Sequence, residues 1–247
     1  MADASTSTPI APKALEAGHS HHPDDHHYPH SYVEDHRDYS KPFLPYFNRK
    51  RADPSPLAFA ALGTGLFILS MVALGTKDLT VLNIGVAIAL GYSTFALLVA
   101  GIWEFPSGNS FGAALYITLA GFFATVALVL SPWSGIASAE RDEFSTAVAL
   151  TFFAYFVPVV LFTIAALRSS GGLVCALCLI DLTLLFFGLH FYYPGNTGLL
   201  RAAGAFCVLS AFVSWYAFLA CLLNHETGIF RLPVLGDLRP KTVRERA

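Results

Sequence analysis

Asp181 is an ionisable side chain in the middle of a long apolar segment. It lies between Leu177-Cys-Leu-Ile180 and Leu182-Thr-Leu-Leu185, and no Lys or Arg follows or precedes it in that segment. A charged acid in hydrocarbon is costly, so such a residue is a functional hypothesis by default. We predict that Asp181 carries a proton or donates a hydrogen bond. The alternative is a protonated acid that only packs against a neighbouring helix.

Three further polar residues lie at breaks between apolar segments. Asp53 precedes two prolines, a pattern typical of a helix start, where the carboxylate accepts from free N–H groups. It is equally suited to contact a solute at a pore mouth. Glu104 and Asn109 flank a tight turn. Their position favours roles in the turn and as a helix cap, with substrate contact as the alternative.

Cysteine and histidine are the remaining candidates for chemistry. The four cysteines all lie in apolar segments, which indicates buried small side chains rather than disulfides or a metal site, although Cys175 and Cys178 form a C-x-x-C pair. Seven of the nine histidines lie in the first 52 residues. That stretch could bind zinc or copper, but its composition favours a polar, disordered tail. His190 is expected near a helix end, on a different face from Asp181. We expect no metal and no cofactor.

The composition places these residues in a membrane protein. Of 247 residues, 55% are hydrophobic and 13% are charged, whereas soluble domains average about 25% charged. A formal net charge of −2 gives no basic patch of the kind that nucleic acid binding requires. An all-α membrane protein is therefore the expected fold class, with residues 1–52 as the disordered tail, 53–224 as the transmembrane domain and 225–247 as a short basic tail.

Six apolar segments are each long enough to cross the hydrocarbon layer, which requires about 20 residues in a helix. The alternating pattern of a membrane barrel is absent from the sequence. The predicted helices are Leu57–Leu74, Val81–Trp103, Phe111–Leu130, Ala147–Leu167, Leu173–Tyr192 and Leu199–Leu223.

The distribution of positive charge predicts the orientation of these helices. Six spans place both termini on one side, and twelve of the fifteen Lys and Arg residues fall on that side. Only Lys77, Arg141 and Arg201 fall on the other. Because positively charged loops stay in the cytoplasm, both termini are predicted to be cytoplasmic.

Four motifs resemble those of a known family. Asp53-Pro-Ser-Pro-Leu57 resembles an Asn-Pro-Ala-Pro-Leu signature. Gly101-Ile-Trp-Glu-Phe105 with Gly108-Asn-Ser-Phe-Gly112 resembles Gly-Met-Trp-Glu-Phe…Gly-Asn-Thr-Phe-Gly. Gly195-Asn196 with Ala211-Phe-Val-Ser-Trp-Tyr216, and Leu232-Pro-Val234, match the last helix and the tail. The chain is thereby identified as similar to the acetate uptake transporter family, which includes fungal acetate/ammonia transporters and bacterial acetate–succinate permeases.

The resemblance implies a six-helix protomer, usually in a hexamer, with a solute path through each protomer. It also implies that acetate or another short monocarboxylate moves with a proton. The family narrows its path with a ring of Phe, Tyr and Leu, and the corresponding positions here are Leu62, Leu119 and Leu182. Two aromatic rings and a hydroxyl are therefore missing at those positions. A ring of leucines still excludes water and ions.

From these observations we predict transport of a short monocarboxylate, in partnership with a proton and the lipid bilayer of the plasma membrane, by a homo-oligomer. The predicted contacts for proton or substrate are Asp181, Asp53, Asn109 and Glu104. An uncoupled channel for ammonia or undissociated acid is the first alternative. A membrane-organising protein is a second, because small-residue faces also serve packing alone. An enzyme is not expected, since the spans hold no convergent set of nucleophile, acid and base.

The predicted topology can be tested by introducing glycosylation acceptors. An acceptor between Ser134 and Ser145 should be modified, because this connection lies opposite the positively charged termini. An acceptor near Lys13, or after Val243, should stay unmodified. The opposite labelling pattern would overturn the predicted orientation.

Overall fold

The computed structural model describes residues 52–79, 83–167 and 169–223. The predicted tails, residues 1–52 and 225–247, lie outside these ranges except for residue 52, so what was predicted for them stays a prediction. Within them the chain is helical and contains no β-strand. The spanning helices are α1 Ser55–Ala73, α2 Asn83–Glu104, α3 Ser110–Leu130, α4 Phe144–Ala166, α5 Gly171–Tyr192 and α6 Thr197–Leu222.

The prediction of an all-α membrane protein with six spans is confirmed. All six helices are long and apolar enough to cross a bilayer. The largest difference at a helix start is in α4, which begins at Phe144 rather than at Ala147. The connection before it, predicted as a loop, contains a short helix over Ile136–Glu140. We call this side of the bundle the loop end, and the side where α1 begins and α6 ends the terminal end.

Polar side chains define where several helices begin. Asp53 Oδ1 accepts a hydrogen bond from the Ser55 backbone N–H at 2.9 Å, and Asn109 Oδ1 accepts from Gly112 N at 3.0 Å. At α6, Asn196 Oδ1 accepts from Gly198 N at 3.0 Å. These bonds satisfy N–H groups that a helix start leaves without an intrahelical partner. Asp53, Asn109 and Asn196 are therefore accounted for locally as helix-starting residues.

Helix α2 is interrupted by a wider, π-helical turn over Ala89–Thr94. The Thr94 hydroxyl donates to Ala89 O at 2.7 Å, five residues back along the chain. Ser93, fully buried in this turn, donates to Ala61 O of α1 at 2.9 Å. Such turns are rare and often mark functional segments. Here the turn attaches α2 to the backbone of α1.

Helix α1 is the most enclosed span, and small residues let α6 approach it closely. A Cβ on Gly63 would lie 2.5 Å from Trp215 Cδ1, closer than atoms can approach. Ala61, Ala203 and Ala211 are all 0% exposed. Between helices in lipid the attraction comes from close packing of this kind rather than from the hydrophobic effect. Helix α1 is thus held mainly by the fit of α6 against it.

The cysteines correct one prediction from the sequence. Cys207 is buried and its Sγ lies 3.2 Å from Leu66 O of α1, as expected for a small core side chain. Cys175 and Cys178, however, are exposed on the surface of the bundle. They are three residues apart and therefore share one face of α5, and that face points outward. All four are free thiols.

Candidate functional site

A cluster of polar side chains lies at the terminal end, where α1, α2 and α3 meet. We call Ser55, Glu104, Asn109 and Tyr116 the mouth cluster. Glu104 is only 3% exposed. Its carboxylate hydrogen-bonds with the Asn109 side chain, and the Ser55 hydroxyl lies 3.5 Å from Glu104 Oε1. Ser55 also hydrogen-bonds with Tyr116. These contacts hold a buried acid among hydroxyl and amide groups, a setting able to bind a small polar solute or exchange a proton.

The sequence placed Asp53, Glu104 and Asn109 at the same end of the bundle, and the structure divides their roles. Asp53 is exposed and caps α1. Asn109 both caps α3 and contacts Glu104. The close fit extends to Gly112, where a Cβ would lie 2.5 Å from Asn109 Nδ2. Helix capping accounts for Asp53 and Asn109. It does not account for Glu104, a buried acid that caps no helix.

A small closed cavity lies near the middle of α1, α3, α4 and α5. Its volume is about 10 Å³, which is at the lower limit for a single water molecule. Its walls are apolar apart from one hydroxyl each from α4 and α5. The lining residues are Leu62, Leu66, Leu119, Phe122, Phe123, Tyr155, Val159, Ile180, Thr183 and Leu184. We call this part of the bundle the central constriction.

Two of the three predicted leucines lie in the wall of the constriction. Leu62 and Leu119 are 4% and 2% exposed and line the same cavity. The third predicted leucine, Leu182, does not line this cavity. Helix α5 contributes Ile180, Thr183 and Leu184 instead. Leu182 is separated from Leu184 by about 200° around the helix, and so lies on a different face.

Aromatic residues that the sequence did not single out fill the constriction. Phe122 packs edge-to-face on Phe123, Phe152 and Tyr155, with ring centroids 5.4, 5.9 and 5.4 Å away. Phe152 also stacks on Phe187 at 5.3 Å. The hydroxyl of Tyr155 lies 2.9 Å from Thr125 Oγ1. A tyrosine of α4 thus lines the cavity in which the aligned position of α3 is Leu119. Phe152 and Tyr155 are three residues apart and therefore lie on one face of α4. This spacing was the sequence pattern from which an aromatic face on α4 could have been predicted.

A larger cavity opens at the loop end, on the same faces of α1, α3, α4 and α5. Its volume is about 520 Å³, within the range of sites for small organic ligands. We call it the loop-end vestibule. Most of its lining is aliphatic or aromatic, including Phe187 and Phe152. Phe152 also packs on Phe122 of the constriction. His190 and Arg201 also line it. The sequence analysis assigned neither residue to a site.

Asp181 lies between α5 and α4. The Thr163 hydroxyl lies 2.7 Å from Asp181 Oδ2 and 3.0 Å from Val159 O. Asp181 Oδ1 is buried and has no partner among the described residues. Asp181 itself lines none of the three regions above. Ile180, the residue before Asp181, lines the constriction. Val159, which is linked to Asp181 through the Thr163 hydroxyl, lines it as well.

No group of three His, Cys, Asp or Glu side chains among the described residues is arranged to hold a metal ion. The His-rich segment lies outside those residues, so the prediction made for it stays a prediction.

Comparison with known proteins decides the family. The model of the GPR1/FUN34/yaaH family matches residues 38–236, a range that includes all six helices. The chain belongs to this family. The resemblance inferred from the four motifs is therefore confirmed, and family membership also confirms that the chain is not an enzyme.

Relatives from fungi and bacteria align with the same region. Acetate permease A of Emericella nidulans is 31% identical over 198 residues, which are 75% of this chain and 66% of the relative. The succinate-acetate/proton symporter SatP of Escherichia coli K12 is 27% identical over 191 residues, 76% of this chain and 97% of the relative. The chain thus spans slightly less than two thirds of the fungal permease.

A solved structure shares the fold. The bacterial acetate channel SatP superposes with a TM-score of 0.66, at 18% identity, over 74% of this chain and 98% of that one. At this identity the likeness concerns the arrangement of the helices. Together with the six apolar helices it establishes this GPR1/FUN34/yaaH member as an integral membrane protein.

The fit at Gly112 generates a prediction about the mouth cluster. Gly112→Ala would place a methyl group against Asn109 Nδ2 and Glu104 Cδ, at 2.5 and 3.1 Å. Because Asn109 must then leave its capping position, we expect a loss of about 1 kcal/mol of stability, measured by thermal unfolding in detergent. Gly91→Ala is the control, since a Cβ there meets no atom within 4 Å. Equal stability of the two variants would contradict the described packing.

Proposed function

We propose that this protein carries a short monocarboxylate such as acetate, together with a proton, across the plasma membrane. The solute passes within one protomer, from the loop-end vestibule through the central constriction to the mouth cluster. The observation that carries this proposal is the order of the regions along the bundle: the vestibule and the constriction share faces of α1, α3, α4 and α5, and the mouth cluster follows on α1 and α3 with Glu104 of α2. The names of the fungal permease and the bacterial symporter support the substrate class.

The apolar constriction favours a small and uncharged cargo. A carboxylate would lose its hydration between leucine and phenylalanine side chains, at a cost of several kcal/mol. A protonated acid avoids most of this cost. With a closed volume of about 10 Å³, the constriction must open by movement of side chains, and a molecule the size of acetate requires the smallest opening. The central constriction thus selects the solute both by its size and by its protonation state.

Asp181 is the proposed site at which the protein holds a proton near this path. The Thr163 hydroxyl has one hydrogen and faces two acceptors, Asp181 Oδ2 and Val159 O. If Asp181 is protonated it donates to Thr163, and Thr163 donates to Val159. All donors are then satisfied, and the oxygen without a partner, Oδ1, is a neutral carbonyl oxygen rather than half of a carboxylate. An unpaired buried carboxylate is far more costly, so these contacts favour the neutral acid.

The mouth cluster is proposed to receive the solute at the cytoplasmic side. Glu104 and Asn109 offer an acceptor and a donor at the terminal end, which the charge distribution assigns to the cytoplasm. Asp53, exposed beside this cluster, adds negative charge that favours protons over anions. A homo-oligomer, hexameric as the family resemblance implies, would hold one such path in each protomer.

An uncoupled channel is the second candidate. The solved relative is described as an acetate channel, whereas the Escherichia coli relative is described as a proton symporter. Both descriptions are compatible with an apolar constriction. Proton movement alone does not separate them, because undissociated acid carries its own proton. Vesicles preloaded with unlabelled acetate do: a coupled transporter that alternates between the two sides should take up labelled acetate faster under that load, and a channel should not.

Leu119→Ala tests the position of the constriction. Removal of most of a side chain that is 2% exposed widens the cavity, so butyrate and larger acids should enter vesicles at least several-fold faster relative to acetate. The control is Leu128→Ala, the same change on the same helix at a residue 40% exposed and outside the three regions. If both variants keep the acetate preference of the unmodified protein, Leu119 is a packing residue and the path lies elsewhere.

Asp181→Asn tests the role of the buried acid. Asparagine keeps the size and the contact with Thr163 but cannot exchange a proton. Uptake that rises with falling pH in the unmodified protein should become nearly independent of pH, and Asp181→Leu should lower uptake as well. The control is Asp142→Asn, which removes an exposed acid at the loop end and should preserve the pH profile. If the pH dependence of uptake is the same in Asp181→Asn as in the unmodified protein, Asp181 is only a packing residue.

A further inference from the structure

The loop-end vestibule is much larger than acetate and is lined mainly by hydrocarbon. Thirteen of its nineteen lining residues are alanine, valine, leucine or phenylalanine. Its volume of about 520 Å³ suits a ligand of many more atoms than the four heavy atoms of acetate. A site built only for acetate would leave most of this apolar surface uncovered. The lining therefore points to a ligand with an apolar tail.

The polar groups of the vestibule point to the other end of that ligand. Thr151 donates to Ala147 O at 2.9 Å, and Thr125 bonds with Tyr155, so these hydroxyls already have partners. His190 Nδ1 lies 3.2 Å from Asn196 O and carries a hydrogen there, so Nε2 faces a ligand and donates to a carboxylate when the ring is an imidazolium. Arg201 has no ion-pair partner within residues 52–79, 83–167 and 169–223. The available polar groups are thus a guanidinium, an imidazole and the hydroxyl of Thr197, which also lines the vestibule.

The charge of the vestibule is positive. No Asp or Glu side chain lines it. The acidic residues of the loop end lie in the connections outside its walls and are Asp78, Glu140, Asp142 and Glu143. A guanidinium binds a carboxylate through paired hydrogen bonds. The vestibule therefore combines a carboxylate-binding end with an apolar chamber.

We propose that the loop-end vestibule binds a medium-chain carboxylate, with its carboxylate at Arg201 and His190 and its alkyl tail against the valine, leucine and phenylalanine lining. Such an acid is bulkier and longer than acetate and requires a larger opening of the constriction, whose volume is about 10 Å³ and whose lining includes Phe122 and Phe123. It therefore occupies the entrance and blocks it. The blocking effect rests on the proposed transport function, whereas the binding itself does not.

Binding is measured first, with radiolabelled octanoate and the full-length protein in lipid nanodiscs, after subtraction of empty nanodiscs. Along the series butyrate, hexanoate and octanoate, affinity should rise about fourfold per methylene while the tail finds apolar surface. Octanol, which has the tail without the charge, should displace octanoate only at about tenfold or higher concentration. Displacement by octanol at the same concentration as octanoate would show that the site recognises only the tail and would overturn the proposal.

Substitutions then separate the vestibule from the bilayer. Arg201→Gln should weaken octanoate binding about tenfold or more, His190→Gln several-fold, and Arg201→Lys less than Arg201→Gln. The matched control is Arg141→Gln, an exposed arginine of the loop end that does not line the vestibule, and it should bind as the unmodified protein does. Equal binding by Arg201→Gln and Arg141→Gln would overturn the assignment.

Acetate uptake into vesicles distinguishes failure of this proposal from failure of the transport function. Octanoate added on the vestibule side should inhibit acetate uptake, and Arg201→Gln should relieve that inhibition about tenfold. If octanoate binds through Arg201 but the vesicles take up no acetate, the vestibule proposal stands and the transport proposal falls. If acetate is taken up but octanoate neither binds nor inhibits, only the vestibule proposal is overturned.

Discussion

The structure depends on the close approach of α1 and α6. In lipid the surroundings of a helix are as apolar as its neighbours, so helices associate through the fit of their surfaces. Here a glycine at position 63 makes room for the Trp215 ring, and Ala203 and Ala211 bring the two backbones together. Because α1 is held in this way, its other faces are free to form one wall of the central constriction and of the vestibule. The constriction is lined by α1 without α6, whereas the vestibule includes residues of both helices.

The helices were predictable because their length and apolar composition follow directly from the thickness of the bilayer. The faces of those helices were not. Helix α5 is apolar all round, and a helix without a polar stripe gives no periodicity from which to read its orientation. The alignment of the motifs selected Leu182, whereas α5 lines the central cavity with Ile180, Thr183 and Leu184. Leu62 and Leu119, selected by the same alignment, do line that cavity, and their role in a solute path stays a prediction.

Contributions from neighbouring helices were also beyond the sequence. The aligned position of α3 lacks a tyrosine hydroxyl, and no pattern in the sequence indicates that Tyr155 of α4 lines the same cavity. Arg201 was counted only as one of the few positive charges on its side of the membrane. Its position as a lining residue of the vestibule depends on the packing of five helices. Such assemblies of distant residues appear only when the packing is known.

The π-helical turn in α2 has a consequence for the far end of that helix. A π turn contains one residue more than the α-helical turn it replaces, and each residue of an α-helix advances the rotation by about 100°. The side chains of Phe95–Glu104 are therefore rotated about the helix axis relative to their directions in an uninterrupted α-helix. Without the additional residue, Glu104 would turn away from Ser55 and Asn109 by about a quarter of a revolution. The buried acid at the mouth is thus aligned by an irregularity in the backbone two turns or more away, near the middle of the membrane.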